Sequence, residues 1–334
     1  MIIDIAAHIL PKKYLTERNK RAGKAFASQY ARYPKANPGL TDLDIRFRIM
    51  DKFEDVVQVL SIAGPNVESI TKPKEAVELA RIANDEMAEL VAKYPDRFVS
   101  AIACLPMTDV DSALKEAERA VEDLRFRGVE IFTDINGKPV DSPEFMPLYE
   151  KMEAYNLPIL LHPRKTDATP DYPGETASKY LIFTNFGWPY ETSKAMARMA
   201  FGGVFDRYPK LKVLTHHAGG MIPYFSKRVQ LSMDFNEMRM GRRDDIPLTK
   251  SPLDYYRMFY CDTAIQGNAP ALMCAFDFFG PDHVLFATDT PYDNQLGERV
   301  YRETLAGVEE MSITAQEKQK IYADNARRIF RLPV

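Results

Sequence analysis

The chain has 334 residues and a formal net charge of −3, with 46% hydrophobic and 27% charged residues. This balance offers neither a basic groove for nucleic acid nor a polybasic membrane anchor, and no apolar run approaches the roughly 18 to 20 residues that cross a bilayer. Asp4 and His8 lie where a signal peptide needs a basic start and an apolar stretch, so a cytoplasmic protein is expected. Cys104, Cys261 and Cys274 have no CxxC spacing and are predicted to be reduced thiols.

Strand-like runs alternate with helical patterns along almost the whole chain. Eight short apolar runs predict β-strands at residues 1–8, 55–62, 97–105, 128–133, 157–162, 211–216, 257–262 and 283–289. Most are continuous runs of Val, Ile, Leu and Phe, which is typical of parallel strands covered on both faces. Apolar residues at helical spacing predict helices at residues 74–94, 109–126, 143–155, 191–208, 220–233 and 268–279.

Eight strand and helix alternations in one uninterrupted chain favour an α/β fold of the (β/α)8 TIM barrel type over an open doubly wound sheet. An open sheet would carry a glycine-rich phosphate turn after a strand, and the sequence has none. Without a repeat or linker, residues 1–334 are predicted to form a single domain.

The connections 11–45, after the first strand, and 163–190, after the fifth, are longer than a barrel needs. Long connections on this rim commonly act as lids or subunit contacts.

Four of the five histidines lie at the ends of predicted strands, on the rim where barrels place active sites. His8 ends the first run, His162 ends the fifth and Asp289 ends the eighth. Three residues of the kind that ligate metals thus converge on one rim if the barrel closes. His283 begins a strand on the opposite rim and is predicted to be structural.

The sixth run ends in the sequence THHAGG. Because neighbouring strand residues point to opposite sides, only one of His216 and His217 is expected to face the barrel centre. His217 is the candidate base or ligand, since the glycines after it allow the backbone to approach a bound group closely. His216 is expected to pack behind the sheet or to orient its neighbour.

Asp289 has three alternative roles. It can ligate a metal, or it can pass a proton to a substrate if burial raises its pKa. Otherwise it caps the following helix, a role better suited to Asp293, so Asp289 is assigned to catalysis.

Further side chains are candidates for a pocket wall. Glu130 lies in the middle of a strand, either as an inward carboxylate or, preferably, as part of a buried ion pair. Arg164 and Lys165 follow His162 and can pair with a substrate carboxylate, although two bases on a loop are commonly solvated.

Other candidates are aromatic or hydrogen-bonding. Trp188 and Tyr190 are predicted to form an aromatic wall. Asp262 and Thr263 end the seventh strand and are expected to make buried hydrogen bonds rather than to act in the chemistry.

Five motifs, in order along the chain, resemble the decarboxylase branch of the amidohydrolase superfamily, that of aminocarboxymuconate-semialdehyde decarboxylase. They are IIDIAAHILP, LPILLHP, FGGVFDRYPKLKVLTHHAGGMIPYF, VLFATDTPYD and KIYADNARRIFRL. The resemblance spans nearly the whole chain. It implies an oligomeric (β/α)8 barrel that binds one divalent metal ion. The family's ligands are an H-x-H or E-x-H pair after strand one, a His after strand five and an Asp after strand eight, and a His after strand six assists catalysis.

Carried over to this chain, the resemblance assigns His8, His162 and Asp289 to the metal, and Asp289 and His217 to catalysis. The first ligand of the family pair falls on Ala6, which cannot ligate. Three protein ligands still form an open site for Zn²⁺, the preferred ion, or for Mn²⁺ or Fe²⁺. Water, a substrate oxygen or Glu130 can take the place of the missing ligand.

The resemblance implies metal-assisted, non-oxidative decarboxylation of a small aromatic or unsaturated carboxylic acid. Asp289 or metal-bound water, aided by His217, would protonate the carbon that loses CO₂, while Arg164 and Trp188 would contact the substrate. Two alternatives stay open. One is hydrolysis or hydration of a lactone, amide or alkene. The other is a metal-poor structural or regulatory subunit. A homodimer or larger oligomer is expected for an enzyme, and a hetero-oligomer with an active paralogue for a regulatory subunit.

Overall fold

The computed structural model describes residues 1–23, 33–241 and 248–334. Its strands are β1 (Ile2–Ile9), β2 (Val56–Ile62), β3 (Phe98–Ala101), β4 (Ala103–Cys104), β5 (Val129–Phe132), β6 (Pro158–His162), β7 (Lys212–Thr215), β8 (Tyr260–Asp262) and β9 (Val284–Leu285). Neighbouring strands pair in parallel and in chain order, as a sheet of β1 to β3 and a sheet of β4 to β9.

Contacts at two seams join these sheets into one closed barrel. β3 and β4 are two parts of a single strand, and the N–H of Ile102 between them donates to the Leu60 carbonyl at 2.8 Å. At the other seam, Ala7 of β1 forms a parallel bridge with Thr290, beyond β9. The eight predicted strands therefore form the predicted (β/α)8 TIM barrel, with the third strand in two parts.

Helices alternate with these strands. The α-helices are Lys12–Arg21, Tyr33–Ala36, Leu43–Met50, Pro73–Lys93, Val110–Glu122, Met146–Tyr155, Ile182–Asn185, Gly187–Phe201, Val204–Arg207, Ile222–Met240, Pro252–Tyr256, Ala269–Phe279, Glu298–Glu310, Ala315–Gln319 and Asn325–Phe330, and a π-helical turn spans Lys320–Asp324. All six predicted helices are confirmed with shifted ends. The helix predicted at 191–208 is two helices, because Gly203 adopts a left-handed φ of 74° between them.

Alternation along the strands separates two apolar clusters. Val129 and Ile131 belong to the cluster that joins the sheet to the surrounding helices. Ile5 and Leu160 belong to the other cluster, which fills the barrel interior and includes Phe330 of the last helix. Side chains at the next inward positions beyond this apolar layer must therefore lie at the carboxyl end of the barrel.

The two long connections border this end. The helix Lys12–Arg21 is anchored where the N–H groups of Lys13 and Tyr14 donate to Glu86 at 3.0 and 2.5 Å. Residues 24–32 of the predicted 11–45 insertion lie outside the described residues. Its action as a lid or interface stays a prediction.

The cysteines and the helix lengths agree with the predictions made from composition. The three cysteines are free thiols; Cys104 and Cys261 are buried and Cys274 is half-buried. Within the described ranges, every helix is too short or too polar to cross a membrane.

Candidate active site and metal centre

Four strand ends bring the predicted site residues together. His8 comes from β1, His162 from β6, His217 follows β7 and Asp289 follows β9. Nε2 of His8 lies 3.1 Å from Oδ1 of Asp289, and Nε2 of His217 lies 3.7 Å from Oδ2 of the same carboxylate. The ring centres of His8 and His162 are 5.6 Å apart, edge to face. The structure therefore places these four residues in one cluster.

His216 belongs to the same cluster, so the prediction that only one of His216 and His217 faces the barrel centre is wrong. β7 ends at Thr215, and strand alternation therefore does not govern the two histidines. The buried His216 ring lies 4.9 Å from the His162 ring, and its Nδ1 is 3.1 Å from Oδ2 of Asp262.

The backbone is strained at two of these residues. His217 has a φ of 57° and Asp289 a φ of 60°, in the left-handed region that costs energy for residues with a side chain. Tertiary bonds hold both turns: the N–H of Ala218 donates to Asp262, and Thr290 bridges to Ala7. Backbone strain of this kind is concentrated at functional sites. Here it occurs at His217 and Asp289, whose side chains lie 3.7 Å apart.

The charges in the cluster depend on one another. Burial alone would raise the pKa of Asp289, but the neighbouring His217 and His8 outweigh it and hold that pKa well below its usual range. Burial likewise opposes the charged forms of His8 and His217, yet Asp289 raises the pKa of both rings. Burial, with the nearby His216 and His8, lowers the pKa of His162 well below normal. Asp289 is therefore an ionised carboxylate, not the buried acid with a raised pKa that the sequence allowed.

The donor atoms suit a divalent cation. Nδ1 of His162 lies 2.8 Å from the Pro163 carbonyl, which can only accept, so Nδ1 carries the hydrogen and Nε2 keeps its lone pair. Nδ1 of His8 lies 3.0 Å from Oγ of Ser61, while the buried Nε2 makes no hydrogen bond. Two donors on one ion, each at about 2.1 Å, lie about 3.0 to 3.4 Å from each other. The 3.1 Å separation of His8 and Asp289 fits this range.

The ligand set is nevertheless not closed. In the described part of the chain, no three His, Cys, Asp or Glu side chains are already arranged around a metal position. Ala6 is fully buried, at a register shift of β1 between Asp4 and Ala7, and contributes only a methyl group to the interior cluster. His8, His162 and Asp289 thus fit the ion chemically, and the side chains must adjust to enclose it.

Glu130 is an inward carboxylate, and its predicted ion pair is wrong. It pairs in register with Leu160, whose side chain lies in the barrel interior. Glu130 is 4% exposed, its Oε1 has no hydrogen-bond partner, and it forms no ion pair with the described cations. Burial raises the pKa of Glu130 to about 7. The charge of His8 opposes this rise, and the charge of Glu68 adds to it.

A cavity of about 740 Å³ opens above the cluster and is bordered by His162, His217 and Asp289. One wall is Trp188, whose ring centre lies 5.7 Å from that of His162 and 6.0 Å from that of His217. Tyr190 is 54% exposed and lies outside this wall, so the aromatic wall is confirmed for Trp188 alone.

Two cations after β6 also border the cavity. The guanidinium of Arg164 lies 3.0 Å from the carboxylate of Asp134, so its charge is countered. Lys165 is half-buried, and its backbone carbonyl accepts a hydrogen bond from Nε1 of Trp188 at 3.0 Å.

Several structural assignments made from the sequence are confirmed. The carboxylate of Asp293 accepts from the N–H of Val300 at 2.8 Å and so caps the helix Glu298–Glu310. Nδ1 of His283 lies 2.8 Å from a backbone carbonyl. Asp262 accepts two backbone N–H groups, and the Thr263 hydroxyl donates to the carbonyl of Ala287 and accepts from its N–H.

A buried network behind the site was not predicted. The Asp4 carboxylate accepts from the hydroxyls of Thr288 and Tyr301, each at 2.6 Å, and thereby ties β1 to the segment that carries Asp289. Burial raises the pKa of Asp4, and these two hydrogen bonds partly oppose it. Arg46 donates to the carbonyl of His8 from the same network. The alternation of β2 would have placed Ser61 inward beside His8, but nothing in the sequence marks Tyr301.

Comparisons with known proteins extend over nearly all of the chain. A family model described as amidohydrolase matches residues 3–332. A gamma-resorcylate decarboxylase of Polaromonas sp. JS666 is 32% identical, over 90% of this chain and 91% of its own. The 2-amino-3-carboxymuconate-6-semialdehyde decarboxylase of Dictyostelium discoideum is 28% identical, over 94% and 88%. A solved dihydroxybenzoic acid decarboxylase from Polaromonas sp. JS666, with bound manganese and the inhibitor 2-nitroresorcinol, has a TM-score of 0.81 at 27% identity, over 99% of this chain and 96% of that one.

Proposed function

Because the chain belongs to the amidohydrolase family, we propose that it is a metal-dependent, non-oxidative decarboxylase of small aromatic or unsaturated carboxylic acids. The observation that carries the proposal is the cluster of His8, His162, His217 and Asp289 at one end of a cavity with an aromatic wall. Both curated relatives named above are decarboxylases.

In this proposal His8, His162 and Asp289 hold one divalent ion. When bound there, the ion supplies positive charge that fixes the substrate carboxylate and an adjacent oxygen and draws electron density from the bond that breaks. Manganese in the relative's structure makes Mn²⁺ the first ion to test, followed by Zn²⁺ and Fe²⁺. Ser61 and the Pro163 carbonyl orient the two imidazole rings.

The chain's own groups hold the acid and deliver one proton. The bond between the substrate carbon and its carboxylate breaks, CO₂ leaves, and the electron pair stays on that carbon until a proton is added. Asp289 and His217 lie 3.7 Å apart and both border the cavity, so the pair can hold this proton beside the carbon. Trp188 packs against the substrate ring, and Arg164 contacts its polar substituents from the wall.

A product analysis in D₂O tests the reaction type. The chain, loaded with Mn²⁺, is offered a panel of hydroxybenzoic acids and lactones. Decarboxylation releases CO₂ and leaves one deuterium on the carbon that carried the carboxylate, which is the expected result. Ring opening without CO₂ would identify a hydrolase instead, and no turnover combined with no metal uptake would identify the metal-poor subunit.

We also propose that the chain forms a homo-oligomer and that residues 11–45 act as a lid or subunit contact. On the helix Ile222–Met240, Tyr224, Leu231 and Met238 are 71% to 78% exposed, and soluble monomers rarely expose large apolar patches. Light scattering after size-exclusion chromatography is expected to give at least twice the mass of one chain. The mass of a single chain would contradict the oligomer.

A further inference from the structure

We propose that Lys165 forms a second anion-binding subsite in the cavity, which favours substrates that carry a further carboxylate besides the one that is lost. This inference rests on the proposed function and concerns the class of acid. It is based on the contacts that Lys165 makes with Gly187 and Trp188.

The charged groups of this wall differ in their partners. Arg164 is paired with Asp134, and Asp167 is also engaged in an interaction. The ammonium group of Lys165 forms neither an ion pair nor a hydrogen bond with any residue in the ranges described. Lys165 is half-buried and borders the cavity, so an anionic ligand there can form a charge-assisted bond with an ammonium group that no described residue engages.

Lys165 is also held in position before any ligand binds. Its carbonyl accepts the indole N–H of Trp188 at 3.0 Å, which fixes the backbone. Its aliphatic stem lies over Gly187, where an added Cβ would come within 2.7 Å of Lys165 Cδ. Because glycine permits this close approach, the stem is packed and less side-chain entropy is lost when the ammonium group binds.

Trp188 links this subsite to the reaction centre. The centre of the indole ring lies 5.7 Å from that of His162 and 6.0 Å from that of His217, and its N–H donates to the backbone carbonyl of Lys165. In this proposal a flat acid lies along the indole with its reacting carboxylate at His162 and its far edge at Lys165, which borders the same cavity. A second carboxylate on that ring would meet the ammonium group, whereas a hydroxyl or methyl group would leave its charge unmatched.

Binding of two nitroaromatic probes to the Mn²⁺-loaded chain tests the subsite. 2-Nitroresorcinol has no carboxylate, and 4-hydroxy-3-methoxy-5-nitrobenzoic acid has one in addition to its nitro group. Trp188 is the only tryptophan of the chain, so quenching of its fluorescence reports occupancy of this cavity.

Lys165→Met is expected to weaken binding of the nitrobenzoic acid about tenfold and that of 2-nitroresorcinol less than about twofold. Lys165→Arg should restore most of the loss, because it restores the charge. The matched control is Lys194→Met. Lys194 lies on the same helix as Trp188 but is ion-paired with Glu191 and lies outside the cavity wall, so both affinities should stay unchanged.

Three results would contradict either the Lys165 subsite or the proposed function. If Lys165→Met weakens both probes equally or neither, Lys165 does not recognise a second carboxylate. If Arg164→Met removes the preference and Lys165→Met does not, the subsite belongs to Arg164 and the proposal is overturned. If the wild-type chain binds neither probe with Mn²⁺ present, the proposed function itself fails.

Discussion

The Glu130→Gln variant, in which an uncharged side chain of the same shape replaces the carboxylate, should be more stable than the wild-type chain at alkaline pH. The carboxyl group of Glu130 is 4% exposed, has an oxygen without a hydrogen-bond partner, and forms no ion pair with a described residue. Glu116 is equally buried, but it accepts hydrogen bonds from Arg119 and Asn84, each at 2.7 Å. Glu130 and Glu116 therefore form a matched pair of buried carboxylates. Glu116 has hydrogen-bond donors, whereas one oxygen of Glu130 has none.

The magnitude follows from the pKa. Burial raises the pKa of Glu130 from 4.5 to about 7, which corresponds to about 3 kcal/mol of free energy. Between pH 4.5 and 7 the folded chain keeps a proton that the unfolded chain has lost, so the free energy of unfolding falls as the pH rises through this window. Above pH 7 the full cost is present, and below pH 4.5 it is absent.

Urea unfolding of the chelator-treated chain at several pH values measures this effect. Relative to wild type, Glu130→Gln should gain about 3 kcal/mol at pH 8 but less than about 1 kcal/mol at pH 5. Glu116→Gln should lose stability at pH 8, because it breaks a paired carboxylate. If Glu130→Gln gives no gain at pH 8, or a gain independent of pH, then Glu130 is not a buried carboxylate without compensation.

Two further predictions concern the residues that orient the site. Ser61→Ala should weaken metal binding about 10- to 100-fold in a competition with a chelating dye, because the hydroxyl orients the His8 ring; unchanged affinity would show that His8 needs no such support. Tyr301→Phe should lower the free energy of unfolding by about 1 to 3 kcal/mol in urea, because Asp4 loses a buried hydrogen-bond donor. A variant as stable as wild type would mean that the network behind β1 contributes little.

The barrel could be predicted because its signal is local. Covered parallel strands are continuous apolar runs, and their order along the chain is also their order in the barrel. The same logic located His8, His162 and Asp289, since a polar residue directly after such a run lies at the carboxyl rim. The helix Glu298–Glu310 was predicted only as the helix that Asp293 caps and without bounds, although its buried residues Val300, Thr304 and Val308 recur at helical spacing.

The remaining errors concern where side chains point once regular structure ends. His216 and His217 follow the last residue of β7, and the left-handed backbone at His217 brings both rings to the centre. For Glu130, the strand pattern fixes the inward face, but whether a cation lies opposite depends on distant parts of the chain. Nothing local in the sequence reports such a partner.

The most direct test of the central claim is CO₂ release by Asp289→Asn and by the wild-type chain, each loaded with Mn²⁺ and assayed on the same panel of hydroxybenzoic acids. We expect release by the wild type and a loss of at least about 100-fold in the variant, with circular dichroism unchanged, because Asp289 contacts both His8 and His217. Undiminished CO₂ release by Asp289→Asn would contradict the assignment of the reaction to this site.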